Sequence, residues 1–560
     1  MTRKAIVIGS GAGGSIAAMT LAEAGWEVTV YEKGPNYFTN LEGPGPVGTA
    51  FSNDEVKSKF RNFNTPDPLI YPQTFRSSEA EPVAHVGMVS ALPQLVGGGT
   101  MHWDAKVPRF WDIDFQALSA DGPVPGADVQ DWPFDYAELA PYYDEVEALL
   151  GVQGDADALS EVSKKHAPRA KPYAMGPGPQ QHASLITAEG ARKIDLHPSP
   201  IPAAINSRAR DARPACNNCG FCAGYGCTTQ ARGSALDPLR RALRTGRVDL
   251  VPDTMITKVV LRGNRAWGVE WARPTPHGLK RGKQGADVVV MAASAMETVR
   301  LALLSGLPNA SGRMGQRLML HSVLDWWGIF PGERLHTHRG RSATQFLEDF
   351  NDPDFGDVRD FAKQNGLPYV RGGMVELGLG SDPIIEANTY RAHLKTLRPG
   401  KPFGADFKRM MRASLLRDRF VRIAMVGTDL PYRTNTVTLD PEVKDVHGLP
   451  VARITYAVGK HENLAQEYYL PWLAYLLEQA GAEFSTRTGR TSVVPDSIHI
   501  LGGMHLGADP RTSVCDPYGR VHGTDNVFVT DGSTAVTSGG HNPTLTLMSV
   551  ALRSMRHLVT

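Results

Sequence analysis

The sequence contains no apolar run that reaches the roughly 18 residues needed by a membrane-spanning helix. Its formal net charge is only +1 over 560 residues, so no excess of positive charge points to nucleic acid or an anionic membrane as a partner. The patterns G-x-S-x-G and H-E-x-x-H are both absent, which argues against the hydrolases that use them. The apolar fraction of 42% and the charged fraction of 21% are typical of a globular protein, and the length allows two or more domains.

The N-terminus also lacks the apolar segment and cleavage site of a secretion signal, because MTRKAIVIGS leads directly into a strand pattern. We therefore expect a cytoplasmic protein, although export together with a partner subunit is compatible with this sequence. Cysteine is scarce. Four of the five cysteines lie between Cys216 and Cys227, which is unlike a disulfide framework spread through a secreted domain.

The N-terminal segment carries a dinucleotide-binding pattern. The apolar run Ala5–Ile8 predicts a buried strand, and G-x-G-x-x-G follows it at Gly9, Gly11 and Gly14, ahead of a helical segment. Glu32 ends a second predicted strand 23 residues after the first glycine, and about 20 residues is the spacing expected for an acid that binds a ribose. The glycines permit a tight turn, close approach to a pyrophosphate and close packing of the helix on the strand, while the helix N-terminus favours phosphate. The pattern predicts a site for the ADP part of FAD or NAD.

Five motifs, in this order, resemble the glucose–methanol–choline (GMC) flavoprotein oxidoreductases: VIGSGAGG with Glu32, VGGGTMHW at 96–103, MAASAMETVRLALLSG at 291–306, HILGGMHLGADPRTSVCD at 499–516 and DNVFVTDGSTAVTSGGHNPT at 525–544. The resemblance covers nearly the whole chain. It implies FAD as cofactor, a nucleotide-binding domain beside a substrate domain built on an antiparallel sheet, and oxidation of a CH–OH group. The His-Asn pair is similar to the branch of pyranose oxidases and gluconate and fructose dehydrogenases, which makes sugars or polyols the leading substrate class.

The predicted fold class is α/β, or α+β overall, with a Rossmann-like FAD-binding domain and a substrate domain of antiparallel sheet and helices. We expect a discontinuous FAD-binding domain that consists of residues 1–34, 96–110, 228–322 and 488–560. Residues 35–95 are expected to form a loop or lid region, and residues 216–227 a cysteine-rich insertion. The substrate domain is expected at residues 325–487. Within the substrate domain, the apolar pattern after residue 460 predicts a helix that is interrupted near Pro471.

His541 and Asn542 come directly before a predicted C-terminal helix that begins at Pro543. Oxidation of an alcohol by a flavin needs a base for the hydroxyl proton, and histidine suits this role. The positive end of the helix disfavours imidazolium, so we expect a neutral His541 as the general base. Asn542 is expected to orient the substrate through its amide. A structural histidine and a simple N-cap are the alternatives.

Other residues are predicted to contact the flavin because they follow a glycine-rich stretch or a strand end: Gly98, Gly99, Thr100, His102, Trp103, Asp531 and Gly532. The stretch around His102 is similar to the T-x-H-W stretch that carries the flavin covalently in pyranose oxidases. A covalent link, a noncovalent contact and a structural role all remain open for His102. His499 and His505 lie in a segment that the family places beside the active site. They either line the pocket or hold a turn by hydrogen bonds.

The cysteines form the pattern C-x2-C-x2-C-x4-C with members Cys216, Cys219, Cys222 and Cys227. An iron–sulfur cluster, a zinc ion, and a structural thiol loop or disulfide are all compatible with it. Some dehydrogenases of the sugar-oxidising branch carry a [3Fe–4S] cluster in this region, although the spacing here differs from theirs and from that of ferredoxins. His336 and His338 are metal ligands by type. The sequence near them offers no third ligand, so we predict surface loop residues.

The combined prediction is an enzyme that oxidises a CH–OH group of a sugar, glycoside or polyol, with hydride passing to flavin N5. Its electron acceptor is oxygen, a quinone or dye, or a partner redox protein. The alternative is an oxidase of a non-sugar alcohol (aliphatic, aromatic or sterol-like) that produces hydrogen peroxide. Two further hypotheses concern other classes of protein. One is a flavin-binding module without turnover. The other is an NAD-linked dehydrogenase, which is disfavoured because nothing after Glu32 resembles a nicotinamide half-site.

Overall fold

The structure is a computed structural model that describes residues 2–49, 66–90, 92–380, 404–413, 417–487, 494–495 and 497–560. Its α-helices are Ala12–Glu23, Asp112–Phe115, Ala117–Asp121, Tyr136–Leu150, Glu161–His166, His182–Arg192, Leu236–Leu243, Ala295–Ser305, Val358–Gln364, Ala405–Ala413, Lys460–Gln479 and Thr544–Val559. Short 3-10 turns lie at Gly98–Met101, Asp349–Asn351 and Gly532–Thr534. Within the described ranges, none of these helices combines the length and apolar character that crossing a lipid bilayer requires.

A parallel sheet forms the centre of the nucleotide-binding part. Its five strands, in spatial order, are Val527–Val529, Val288–Met291, Lys4–Ile8, Glu27–Tyr31 and Val248–Val251. The central strand is apolar along nearly its whole length because both of its faces are covered. The helix Ala12–Glu23 packs against the C-terminal helix Thr544–Val559, so the two ends of the chain meet beside the sheet. The predicted Rossmann-like unit is confirmed.

An antiparallel sheet forms the second large layer. Its six strands, in spatial order, are Phe484–Thr486, Ser322–Ile329, Phe420–Gly427, Gly373–Leu379, Gln345–Leu347 and Ser199–Pro200. Buried Leu324, Val375 and Ile423 form its apolar face and share a core with the helix Lys460–Gln479. This arrangement agrees with the predicted sheet of antiparallel strands backed by helices.

The helix Lys460–Gln479 is continuous and contains Pro471 in its interior, so the predicted interruption at this proline is wrong. A proline removes one backbone hydrogen bond and strains the preceding turn. The buried side chains of Tyr469, Leu473 and Leu477 on either side of it hold the helix in place by packing, which offsets that cost.

Three smaller sheets complete the described fold. An antiparallel hairpin sheet contains Met255–Arg262, Arg265–Thr275 and Gly278–Gly285, and Gly263 in its first turn has a φ of 64°. A four-stranded sheet contains Thr436–Lys444, Pro450–Thr455, Gln73–Arg76 and His85–Gly87, and Phe38–Thr39 pairs with Gly48–Thr49. The region 35–95 therefore contains short strands as well as loops, and residues 50–65 and 91 of it lie outside the described part of the chain. The domain boundaries stay a prediction.

Candidate active site

A deep cleft opens at the carboxyl ends of the parallel strands, where ligands bind in open α/β sheets. It encloses about 1940 Å³ of space, including the part that opens to solvent. Of the predicted site residues, its wall includes Gly9, Gly11, Glu32, Gly98, Gly99, Thr100, His102, Trp103, Asp531, Gly532 and Asn542. Among the described residues, the predicted site residues that are not part of this wall are Gly14, His541 and the four clustered cysteines.

Three glycines of the cleft region allow backbone segments to approach one another closely, because they have no side chain. Gly9 has a φ of +100°, and a Cβ at this position would lie 2.3 Å from the carbonyl oxygen of Ala292. A Cβ on Gly14 would lie 2.0 Å from the carbonyl oxygen of Gly9, so this glycine allows the helix to pack directly on the turn. Gly98 approaches from the facing loop, where its Cβ would lie 2.9 Å from the Cα of Gly11. This geometry agrees with the roles that the motif assigns to its glycines.

Glu32 also lines the cleft, and its carboxylate is held in place by the turn. One oxygen accepts hydrogen bonds from the backbone N–H of Ser10 at 3.1 Å and from its hydroxyl at 2.7 Å, and the other accepts from the Gly34 N–H at 2.9 Å. Burial raises the pKa of the Glu32 carboxyl. The oxygen that accepts from the Gly34 N–H keeps a second lone pair for a ribose hydroxyl. The first helix begins after Gly11 without a side-chain cap, so its N–H groups are available to a pyrophosphate, and these residues together fit the ADP part of FAD.

The loop that carries His102 is held from behind by Arg232. This guanidinium donates to the carbonyl oxygens of Met101 and Trp103, each at 2.5 Å, and to that of Tyr225 at 2.9 Å. Burial and the nearby Arg232 lower the pKa of His102 to about 4, so its ring is neutral at physiological pH. A neutral ring in the cleft wall suits a contact with an aromatic cofactor.

Asp531 and Gly532 follow the edge strand Val527–Val529 and reach the cleft from its other side. The Asp531 carboxylate accepts from the Ser533 N–H at 2.9 Å and from the Thr298 hydroxyl at 2.5 Å. These bonds tie the strand end to the helix Ala295–Ser305, and burial raises the pKa of Asp531. The two residues are therefore fixed as a rigid part of the wall.

A second polar group lines the same cleft. Lys106 is buried and forms ion pairs with Asp104 at 2.7 Å and with Glu376 at 2.5 Å. Glu376 in turn accepts a hydrogen bond from the side-chain amide of Asn542 at 3.4 Å. Among the residues that the structure describes, the buried amide oxygen Oδ1 of Asn542 has no hydrogen-bond partner. Asp104, Lys106, Asn542 and His499 all line the cleft. An unsatisfied acceptor in this position is ready for a ligand hydroxyl.

His499 is supported by a second histidine behind it. The Nε2 of His321 lies 2.9 Å from the carbonyl oxygen of Ser538 and 3.1 Å from that of Gly539, so this nitrogen carries a proton and donates. Burial lowers the pKa of His321 to about 4, so its ring is neutral and its Nδ1 is an acceptor. The Nδ1 of His499 lies 2.9 Å away and must therefore be the donor. The basic lone pair of His499 is then on Nε2.

The two sides of the His499 ring differ accordingly. Burial and the neighbouring His321 lower the pKa of His499 to about 3, so its ring is neutral at physiological pH. Within the described residues, no hydrogen bond occupies its Nε2. His505, the other histidine of the same motif, instead lies 2.9 Å from the Thr512 carbonyl oxygen through its Nε2 and is part of a turn. His499 of this motif therefore lines the cleft, whereas His505 stabilises a turn by a hydrogen bond.

His541 occupies a buried pocket behind the cleft. Its Nε2 lies 2.9 Å from Glu348 and 2.8 Å from the amide of Asn351, and its Nδ1 lies 3.5 Å from Asp114. Burial favours the neutral ring, but the two carboxylates outweigh it and raise the pKa of His541. The direction of this shift is opposite to the one expected from the helix end, because the carboxylates on both sides favour the protonated ring. The assignment of His541 as the general base stays a prediction.

The four clustered cysteines are all free thiols, and Cys515 is a fifth that is fully buried. In the part of the chain that the structure describes, no three of the clustered sulfur atoms lie within 4.8 Å of one another, as the ligands of a single metal ion would. Nothing in the described residues supports the predicted iron–sulfur site. The loop packs directly behind the cleft wall, since the Gly224 N–H donates to the His102 carbonyl oxygen at 2.7 Å. Burial raises the pKa of Cys222 to about 12, whereas Arg232 lowers the pKa of Cys227 against the effect of burial.

Sequence patterns missed His321, Lys106 and Glu376. His321 contacts His499 across 178 residues and Lys106 contacts Glu376 across 270, and none of the three belongs to a local motif. Their buried polar character is visible only in the folded chain. The motif around His499 did give a signal, because it was expected beside the active site.

Comparison with known proteins agrees with this geometry. Two family models described as GMC oxidoreductase match residues 125–323 and 431–551, and one described as an NAD(P)-binding Rossmann-like domain matches residues 7–68. The chain is 29% identical to a 2-methyl-1,2-propanediol dehydrogenase from Mycolicibacterium austroafricanum, over 98% of this chain and 94% of that one. It is 25% identical to the gluconate 2-dehydrogenase flavoprotein of Pantoea cypripedii, over 96% of this chain and 91% of that one.

The fold has relatives among solved structures. Pyridoxine 4-oxidase from Mesorbium loti superposes with a TM-score of 0.61 over 99% of each chain at 15% identity. This likeness concerns the fold alone, and it covers both the parallel-sheet and the antiparallel-sheet parts.

Proposed function

Because the chain belongs to the GMC oxidoreductase family, whose members oxidise CH–OH groups of alcohols or sugars with a flavin, we propose that His499 is its general base. FAD, when held by Gly9, Gly11 and Glu32, supplies the acceptor for the hydride that leaves the substrate carbon. His499 accepts the hydroxyl proton on Nε2. Asn542 donates to or accepts from the same hydroxyl and orients it.

One observation carries this proposal. His499 is the cleft-lining histidine whose free lone pair is fixed by hydrogen bonds, since its Nδ1 lies 2.9 Å from the Nδ1 of His321. A general base needs an accessible lone pair within reach of the substrate proton, and its pKa matters only after that condition is met. The burial that lowers the pKa of His499 also keeps this lone pair unprotonated between turnovers.

His541 is the second candidate for the base, on the strength of its place beside Asn542. The two carboxylates raise the pKa of His541 and so favour its protonated ring, which has no lone pair to accept a proton. Its side chain faces Glu348, Asn351 and Asp114 in a pocket that is not part of the cleft wall. We infer that it anchors the turn that presents Asn542.

The substrate we propose is a sugar or another compound with more than one hydroxyl. Lys106, Asp104 and the unsatisfied Asn542 oxygen form a polar surface at the reacting end of the cleft, and such a surface matches neighbouring hydroxyl groups. Relatives described as acting on a propanediol, gluconate and fructose support this choice. A relative described as a long-chain-alcohol oxidase keeps a non-sugar alcohol as the alternative.

The electron acceptor we propose is a quinone, a dye or a partner redox protein, because the first two relatives reported above are described as dehydrogenases. Oxygen is the acceptor in the alternative, an oxidase that produces hydrogen peroxide. Iron and sulfide analysis of the purified protein decides whether the cysteine loop takes part, since a cluster gives a fixed iron content for each flavin.

The experiment compares His499→Asn with His541→Asn in the flavoprotein. Each variant is mixed anaerobically with a panel of sugars, polyols and simple alcohols, and the rate of flavin bleaching is followed. If His499 is the base, its variant loses about 10²–10⁴-fold in the bleaching rate while keeping its flavin. The His541 variant then loses far less, and the reverse order would assign the base to His541 instead.

A further inference from the structure

We propose that His336, His338 and Asp418 form a binding site for a divalent transition-metal ion such as Zn²⁺. One possible ligand atom from each of the three residues lies within 4.8 Å of the other two. The histidines follow the strand Ser322–Ile329, and Asp418 comes two residues before the strand Phe420–Gly427. The two strands are neighbours in the sheet, and their pairing brings Asp418 next to His338 although 80 residues separate them in sequence.

The three side chains differ in exposure in a way that suits entry of an ion from solvent. His336 is exposed, the His338 side chain is 31% exposed and the Asp418 side chain is 8% exposed. The Nδ1 of His338 lies 2.7 Å from an oxygen of Asp418, which orients both groups toward the same space. The carboxylate forms the inner wall of the site, and the imidazoles form its outer edge.

The backbone holds the two loops together before any ion is bound. The Leu335 N–H donates to the Asp418 carbonyl oxygen at 2.7 Å, and the Arg339 N–H donates to the His336 carbonyl oxygen at 3.0 Å. Both His336 and Asp418 have left-handed backbone conformations, with φ of 50° and 57°. Such conformations are uncommon for residues other than glycine and occur frequently at functional sites.

The guanidinium of Arg419, the residue after Asp418, is occupied elsewhere. Arg419 directs its side chain to the carbonyl oxygens of Phe330 at 3.5 Å and Glu333 at 3.3 Å. Its charge is therefore held by backbone acceptors.

Two imidazoles and one carboxylate are a ligand set that Zn²⁺ and similar ions accept, with water completing the coordination. A ligating imidazole nitrogen binds the ion through its lone pair, so that nitrogen carries no proton in the bound site. The site lies outside the cleft that holds the substrate, because none of its residues is part of the cleft wall.

The site contacts the cysteine loop, which gives it a structural consequence. The Gly340 N–H donates to the Asn218 carbonyl oxygen at 3.1 Å, and a Cβ on Gly220 would lie 2.4 Å from the His338 carbonyl oxygen. A bound ion fixes His338 and with it the surface on which the cysteine loop rests.

The test is calorimetric titration of the chelator-treated flavoprotein with Zn²⁺ near neutral pH. We expect one site per chain whose affinity falls by at least about 10–100-fold in His336→Asn and in Asp418→Asn. Asparagine is chosen because it tolerates the left-handed conformation at both positions, so the variants keep the loop geometry. Thermal unfolding of each variant without metal checks that geometry.

Two controls separate this site from other ligands. His277→Asn changes an exposed histidine on a different hairpin and is expected to leave Zn²⁺ affinity unchanged. The double variant Cys216→Ser/Cys219→Ser is expected to keep the same site. Unchanged affinity in Asp418→Asn, or loss of the site only in the cysteine variant, would overturn the proposal.

Discussion

The Nδ1 atoms of His321 and His499 lie 2.9 Å apart, with the two rings nearly perpendicular at 86°. Two neutral imidazoles in this geometry share one proton, and the carbonyl oxygens of Ser538 and Gly539 decide which ring supplies it. His321 therefore sets the tautomer of His499 without touching the cleft, since it is not part of the cleft wall. It is a positioning residue for the proposed base.

We expect His321→Ala to lower the rate of flavin bleaching by about 10–100-fold, because His499 loses the acceptor that fixes its tautomer. His321 has a φ of 58°, which asparagine tolerates, and the asparagine oxygen can accept from the His499 N–H in place of the imidazole nitrogen. His321→Asn should therefore recover much of the lost rate. Single-turnover bleaching with a saturating alcohol measures both variants.

A purely structural role predicts a different result. The alanine and asparagine variants would then differ in Tm but not in the bleaching rate of the folded fraction. Equal rates in the two folded variants would remove His321 from the mechanism.

Flavin retention should depend on the close approach of Gly98 to Gly11. A Cβ on Gly98 would lie 2.9 Å from the Gly11 Cα, at a φ of 55°. We expect Gly98→Ala to push the loop away from the phosphate-binding turn and to reduce the flavin content of the purified protein by half or more. The ratio of flavin to protein absorbance measures this.

Gly246→Ala is the matched control. Gly246 also has a positive φ, of 68°, but a Cβ there would meet no atom within 4 Å. Both alanines carry the same backbone cost of about 1–2 kcal/mol, so a loss of flavin in the Gly98 variant alone isolates the effect of crowding. A similar loss in both variants would refute this explanation.

The nucleotide-binding end of the cleft was predictable because its parts are local. A strand, a glycine turn, a helix and an acidic residue follow one another between Ala5 and Glu32, and each is recognisable in the sequence by its residue types and spacing. The structure places Gly9, Gly11 and Glu32 on one wall for the same reason. The sequence therefore carries almost all the information about this end.

The reacting end was only partly predictable because it is assembled from distant segments. His541 and Asn542 are adjacent in sequence, yet one faces buried carboxylates and the other faces the cleft, and no periodicity in a turn reveals which side each takes. His321 reaches His499 across 178 residues, and Asp418 reaches His338 across 80. Contacts of this kind depend on sheet register, which the sequence does not display.

Replacing Asn542 should weaken catalysis more than cofactor binding. Its amide donates to Glu376, and its unsatisfied oxygen lies in the cleft wall near the proposed base. We expect Asn542→Ala to lower kcat/KM by about 10–100-fold, which corresponds to the loss of about 1–3 kcal/mol of hydrogen bonding to the substrate. Steady-state rates with a dye acceptor measure the loss, and an unchanged flavin content serves as the control. An equal fall in flavin content would assign Asn542 to cofactor binding.

The stabilising effect of His541 should depend on pH. Asp114 and Glu348 raise the pKa of this histidine against the effect of burial, so the folded protein binds its proton more tightly than the unfolded chain does. The resulting stability is fully present below the ordinary histidine pKa of about 6.5 and is lost as pH rises through the raised folded value. Burial opposes ionisation of Asp114, but Arg371 and His541 together lower the pKa of its carboxyl to about 2, so this partner stays charged throughout.

His541→Asn removes the cation but keeps a polar group, and we expect its Tm to lie further below that of the parent protein at pH 6 than at pH 9. The Tm difference between the two proteins should shrink as pH rises, because the charged pair stabilises the parent protein only where His541 is protonated. His321 and His499 are present in both proteins, so the effects of their lowered pKa values cancel in the comparison. Thermal unfolding across this pH range measures the gap. A gap that stays constant would mean that His541 is neutral in the folded protein, and the ring would then regain the lone pair that a base requires.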